Sequence, residues 1–298
     1  MVDICVSQKE KGSAINALNR TSDDSAKELG NAERTGASIR WLQVPAQWPV
    51  SPGWQPGTVD VLAATLDVGF EALGCLRATL AATELRRAGR FHFPHHRDRF
   101  IAARGLLRTV LGRCLGADAR NLEFAYGHHG KPELAGAFSD CELRFNLAHC
   151  ENLALIALTR GRKIGVDLER IRILPGMGEL VDRFFSPREN ALFQTLPAAQ
   201  QTEAFFNLWT RKEAWLKATG EGISRYLGQV EVTFSPGETA QLVSLPGCIA
   251  PQGQWSLCDL RPTKEFAAAI AVEGQIGMLH RWDWDLAEEK NEQNARGL

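Results

Sequence analysis

The chain is predicted to be an α+β protein, and three observations carry that prediction. The stretch from Phe205 to Ile223 has helical periodicity, with Phe205, Trp209 and Leu216 spaced to face a core and Gly220 placed to end the helix. The stretch from Ile164 to Glu169 alternates instead, with Val166 and Leu168 on one face and Asp167 and Glu169 on the other, as a strand does. Helical and strand-like segments recur in both halves of the sequence, which points to a duplicated α+β unit.

Composition sets outer bounds. A chain of 298 residues supports one large or two modest domains. Hydrophobic content of 44% and charged content of 23% are ordinary for a globular protein. The net charge of −1 gives no reason to expect a general nucleic-acid or membrane surface, although it leaves room for a local basic patch. The seven cysteines are scattered and never spaced C-x-x-C, which fits free thiols in a reducing cytoplasm and speaks against zinc. No apolar run is long enough to span a bilayer, and MVDICVSQKEKG lacks the apolar segment of a signal peptide. The expectation is a cytoplasmic monomer without nucleic-acid or membrane partners.

Residues 1–55 are polar and irregular and are expected to form a flexible extension, although Trp41, Trp48 and Trp54 could pack on the body. An N-terminal half is expected over 56–160, opening with a strand at Thr58–Leu66. A helix is predicted from Glu71 to Arg87, its last turn basic with Arg86 and Arg87, which suits a helix C-terminus in itself. A second amphipathic helix is predicted over Arg97–Leu115, burying Phe100, Ala103, Leu107, Val110 and Leu111. Tyr126-Gly-His-His-Gly130-Lys131-Pro132 reads as a turn that projects Lys131. Leu143–His149 leads to a strand at Leu153–Leu158. The polar link 159–163 then suggests a hairpin to the strand Ile164–Glu169. The C-terminal half is expected over 161–287. Ser186-Pro187-Arg188-Glu189 starts a helix with a capping box, and Pro197 ends it. Strands follow at Val230–Phe234, Gln254–Leu257 and Phe266–Val272, and a disordered tail is expected over 288–298.

Two carboxylates side by side on a strand repel unless a cation lies between them. Asp167 and Glu169 therefore either face water at a strand end or hold a hard cation such as Mg²⁺. Glu213 and Lys217 stack on one helix face, as a solvated pair or as part of a phosphoryl-transfer site beside that ion. Together, Gly165-x-Asp167-x-Glu169 and Trp209-x-x-Lys212-Glu213-x-x-x-Lys217-x-x-Gly220 resemble the two signatures of the 4′-phosphopantetheinyl transferases. The resemblance covers about residues 58–275 and is to the larger, surfactin-type branch, whose fold pairs two similar α/β halves in a pseudo-two-fold arrangement.

That resemblance implies transfer of 4′-phosphopantetheine from coenzyme A to a serine of an acyl or peptidyl carrier protein, releasing adenosine 3′,5′-bisphosphate. It implies Mg²⁺ on Asp167 and Glu169, with Glu213 a third ligand or linked through water. Glu213 is the candidate base for the carrier serine and Lys217 the pyrophosphate ligand. Lys131 matches the family's coenzyme-contacting lysine in its G-K-P segment, and His149 matches the histidine of F-N-x-S-H that meets a coenzyme phosphate. Ala148 departs from that pattern, where serine is common. Arg104 and Arg108 fall on the family's arginine-bearing helix, and Arg86, Arg87 and Arg104 complete the expected coenzyme contacts. Two other classes stay open: a metal-dependent phosphodiesterase, and a non-catalytic module that binds coenzyme A or a carrier. Intact Asp167, Glu169, Glu213 and Lys217 argue against loss of chemistry.

Overall fold

The computed structural model describes residues 42–43, 55, 57–220, 226–245, 248–249 and 254–284. Most of the expected extension over 1–55, its three tryptophans included, lies outside these residues, as does the expected tail over 288–298.

The first half opens with strand β2 (Thr58–Thr65), β1 (Leu42–Gln43) lying before it. Helices α1 (Phe70–Ala78), α2 (Ala82–Ala88) and α3 (Pro94–Leu115) follow. A hairpin of β3 (Glu123–Tyr126) and β4 (Pro132–Ala135) leads to β5 (Leu143–Cys150) and β6 (Leu153–Arg160). The second half runs from β7 (Ile164–Arg170) through α4 (Met177–Phe184), α5 (Pro187–Thr195) and α6 (Ala198–Thr219). It continues with β8 (Glu231–Val232), β9 (Leu242–Leu245), β10 (Cys248–Ile249), β11 (Trp255–Asp259), β12 (Phe266–Glu273) and β13 (Met278–Asp283).

One sheet has the order β1-β13-β2-β6-β5 and a second the order β11-β12-β7. Alternation along the strands sorts their side chains into three apolar layers. Leu62, Ile156 and Leu158 meet Leu106, Leu107 and Val110 of α3 on the outer face of the first sheet. Val59, Val61, Leu155 and Ala157 meet Val166, Leu168, Ala268 and Ile270 between the sheets. Ala267, Ala269 and Ala271 share a core with Phe205, Trp209 and Leu216 of α6 on the far side. The result is four layers, helix–sheet–sheet–helix. The orders β2-β6-β5 and β7-β12-β11 repeat one pattern, each packed under a 22-residue helix. This is the α+β, two-half architecture that the sequence predicts.

Several elements differ from expectation. The single helix over 71–87 is two, α1 and α2. Thr79 turns its hydroxyl onto the Leu76 carbonyl at 2.7 Å, and the Glu84 carboxylate accepts from the Ala81 amide at 2.9 Å to start a new helix. The expected hairpin of β6 with β7 is absent: β6 pairs with β2 and β5, and β7 pairs with β12. The link at Gly161 (φ 66°) instead carries the chain from one sheet to the other, so that Leu155 and Val166 face each other across the inner core. Helix α3 starts earlier than expected, with Pro94 in its first turn, and α6 starts at Ala198 behind Pro197. Strand β13 was not expected. It lies parallel to β2 in the first half's sheet, and its half-buried residues alternate too weakly to stand out.

Candidate active site

The site is built where β7 meets α6. Pairing with β12 sets Asp167 opposite Ala269 and Glu169 opposite Ala267, so the odd-numbered face of β7 looks toward the helix. Gly165 makes the approach possible. A Cβ there would lie 2.1 Å from the Ala214 carbonyl oxygen and 2.3 Å from the Ala218 nitrogen. Only a residue without a side chain lets the helix backbone rest against this strand.

Two residues farther along, the Asp167 carboxylate is buried, and Lys217 Nζ donates to its Oδ1 at 2.7 Å and to the Val166 carbonyl at 3.2 Å. Glu169 is 8% exposed, and the Cys150 thiol approaches its Oε2 at 3.9 Å. Glu213, one helical turn before Lys217, is 0% exposed. Three acidic side chains thus lie out of water, with Lys217 supplying positive charge to one of them. Among the described residues no three His, Cys, Asp or Glu side chains converge closely enough to cage an ion. The donor set still fits a Mg²⁺ ion that takes one or two carboxylates and fills its remaining positions with water and phosphate oxygens. On Asp167 the positive charge in this structure is the Lys217 ammonium.

Other motif residues are scaffold. Lys212 is fully buried and donates to Glu189 Oε2 at 2.6 Å and to the Leu227 carbonyl at 2.8 Å. Burial pushes its pKa down, with Glu189 opposing. Glu189 closes the expected capping box on Ser186 and also accepts from the Val232 amide, so it ties α5, α6 and β8 together. Trp209 stacks on Phe205 and meets Phe184 edge-on. The first half adds Asn146, whose Oδ1 accepts from the Val166 amide at 2.8 Å and joins the sheets beside Asp167. Sequence reasoning passed over Asn146 and gave Glu189 only its capping role. A polar residue amid Phe145 and Leu147 was the available signal, since a buried amide needs a partner.

The expected coenzyme contacts divide. Arg86 is exposed at the end of α2, and Arg87 lies over the Phe100 ring, 5.0 Å from its centroid. His149 is half-buried near the end of β5, opposite Ala154. Ala148 packs in the core between the sheets. Arg104 is set apart from Arg86, Arg87 and His149. It is 3% exposed, donates to Glu84 Oε1 at 3.0 Å and to the Tyr126 hydroxyl at 2.7 Å, and leaves one Nη1 buried without a partner. Arg108 shares Glu84 at 2.7 Å and takes the Ala119 and Leu122 carbonyls. This face of α3 turns inward because Glu84 offers it a buried counter-charge. Lys131 reaches into the second half, with its ammonium on the backbone carbonyls of Ile164, Lys217 and Ala218.

The sequence matches the family described as the 4′-phosphopantetheinyl transferase superfamily over residues 163–271. It matches the 4′-phosphopantetheinyl transferase N-terminal family over residues 71–160. The 4′-phosphopantetheinyl transferase HetI of Nostoc sp. is 45% identical over 209 residues, which cover 70% of this chain and 85% of that protein. The 4′-phosphopantetheinyl transferase of Bacillus subtilis is 30% identical over 157 residues, covering 53% and 67%. A solved holo-(acyl-carrier-protein) synthase from Bacillus anthracis, in complex with CoA (3′,5′-ADP), aligns at a TM-score of 0.31 and 23% identity. It covers 38% of this chain and 96% of that one.

Proposed function

The chain belongs to the 4′-phosphopantetheinyl transferase superfamily, and from that premise we infer that it transfers 4′-phosphopantetheine from coenzyme A to a serine of a carrier protein. The released product is adenosine 3′,5′-bisphosphate. The observation that carries this reading is the Asp167–Lys217 contact at 2.7 Å, with Glu169 on the same strand face and Glu213 one turn away on α6.

The reaction breaks the pyrophosphate P–O bond as the serine oxygen bonds to the phosphorus that carries pantetheine. Glu213, held out of water on a rigid helix, takes the serine proton, directly or through water. An ammonium has three donors. Lys217 uses them on Asp167 and the Val166 carbonyl, which leaves one N–H to meet the pyrophosphate. Asp167 and Glu169 would hold Mg²⁺, with Glu213 a third ligand or linked through water; when bound, the ion supplies charge to offset the leaving pyrophosphate oxygen. Arg86, Arg87 and His149 are the remaining side chains proposed for the anionic parts of coenzyme A. Arg104 joins them through its buried, unpartnered Nη1, while the ammonium of Lys131 is engaged on backbone carbonyls.

The carrier is an acyl or peptidyl carrier protein, and the transferase works as a monomer. No helix among the described residues is long and apolar enough to cross a membrane. Cys75, Cys114, Cys141 and Cys258 are free thiols, which supports a cytoplasmic setting. The test is incubation with coenzyme A, Mg²⁺ and an apo carrier protein, followed by intact mass. Addition of the phosphopantetheine arm is expected, and its loss in Asp167→Asn or on chelation of Mg²⁺. An unmodified carrier with the wild-type enzyme rejects the transferase reading. Undiminished transfer after chelation rejects the metal assignment.

A further inference from the structure

Lys131 stands on the turn between β3 and β4. The turn is closed by the Gly127 amide on the Lys131 carbonyl at 3.0 Å and by the Gly130 amide on the Gly127 carbonyl at 2.9 Å. From there the side chain crosses into the second half. Its Nζ donates to the Lys217 carbonyl at 2.7 Å, the Ile164 carbonyl at 2.9 Å and the Ala218 carbonyl at 3.3 Å. The ammonium has three donors, and all three are used.

The acceptors explain the choice. The last carbonyls of a helix have no partner within it, and that end carries partial negative charge. At α6 the Gly220 amide takes the Leu216 carbonyl, and Lys131 takes the next two. The Ile164 carbonyl opens β7, three residues before Asp167. One cation from the first half therefore holds the backbone of Lys217 and the strand that leads to Asp167. The turn itself is braced, since Arg104 grips both the Tyr126 hydroxyl and the buried Glu84.

We propose that Lys131 is a positioning residue of the transferase site: its ammonium fixes the Lys217 turn of α6 against β7. The proposal rests on the transferase reading of the Asp167–Lys217 site. Desolvation is consistent with it. Burial is the largest influence on the Lys131 amine and brings its pKa to about 8, with Lys163, Arg144 and Lys217 acting the same way and Glu133 opposing.

Lys131→Met keeps most of the stem and removes the donors. Its kcat is expected to fall about 10- to 100-fold, the scale of a lost hydrogen bond to a charged group. The loss should be the same with coenzyme A and with dephospho-coenzyme A, leaving the ratio of the two kcat/KM values at the wild-type figure. In a Lys217→Ala background the same change should cost less than about threefold, because the residue acts through Lys217. Hydrogen exchange in the last turn of α6 should quicken while α3 stays protected. Lys131→Arg, which keeps the charge and part of the capping, should recover some of the rate and serves if the Met variant does not fold. A collapse of the preference for coenzyme A in either variant overturns the proposal in favour of direct phosphate contact. An undiminished loss in the Lys217→Ala background reduces Lys131 to general structural support and overturns it too. If the wild type transfers nothing, the transferase reading fails by itself. Exchange then still judges the clamp, and unchanged protection of the α6 end refutes it.

Discussion

Glu213 lies one helical turn before Lys217, fully buried, and its replacement separates the roles assigned to it. Glu213→Gln keeps the volume and removes the capacity to take a proton. Transfer is expected to drop about 10²- to 10⁴-fold, the range of general-base assistance, while coenzyme A still binds. A rate titration against Mg²⁺ tells base from ligand. Loss at every Mg²⁺ level marks a base, a shift of the curve to higher Mg²⁺ marks a ligand, and normal turnover throughout removes both. The four charged groups of this site were legible because their chemistry repeats at fixed spacing: Asp167 and Glu169 on a strand, Glu213 and Lys217 on a helix. The partners of Lys131 and Arg104 were not. Lys131 binds backbone carbonyls, which every residue carries, so no side chain in the sequence marks the acceptors. Arg104 answers to Glu84, twenty residues away on the preceding helix, and periodicity does not say which faces of the two helices meet.

At the scale of elements, the decisive contact is that of α6 with β7. Gly165 was readable as part of a pattern, but its reason is steric and needs both elements in place. The Ala214 carbonyl and the Ala218 amide occupy the space where a methyl group would go. These are backbone atoms of the helix, so neither can step aside as a flexible side chain would. Gly165→Ala is therefore expected to destabilise the fold by about 3 kcal/mol, the upper range of overpacking, and to reduce transfer by pushing Lys217 away from Asp167. Urea unfolding measures the first effect and the carrier assay the second. A midpoint equal to wild type would mean that the helix has room to slide. Helix ends were legible where chemistry marks them, as at Ser186, Pro187 and Gly220. They were missed at Thr79–Ala81, where the Thr79 hydroxyl and the Glu84 carboxylate decide the break.

For the whole molecule, the duplication was visible in sequence as two sets of helices and strands, and the structure gives it as matching strand orders under α3 and α6. The exchange between the halves was hidden. Strand β13 comes last in the described chain yet completes the first half's sheet, pairing parallel to β2 from Met278↔Thr58 to Asp283↔Ala63. Its Trp282 indole donates to the buried Asp60 carboxylate at 2.6 Å, and His280 lies 3.0 Å from the same oxygen. Trp284 follows, 3% exposed in the core beneath α3, with the Arg113 guanidinium 4.7 Å above its ring. The first half thus depends on residues that the sequence places some 120 positions later. Trp284→Ala should remove about 3–5 kcal/mol, the range for deleting a large buried aromatic, although the residue is remote from Asp167 in sequence. Coenzyme affinity at temperatures where the variant remains folded should be unchanged. A fragment of residues 57–160 should fail to fold, because β2 then ends the sheet as an open edge, Asp60 loses its partners and the core loses an indole. Circular dichroism and urea titration of that fragment decide the matter. A cooperative transition would show that the first half is an independent domain and that β13 merely decorates it.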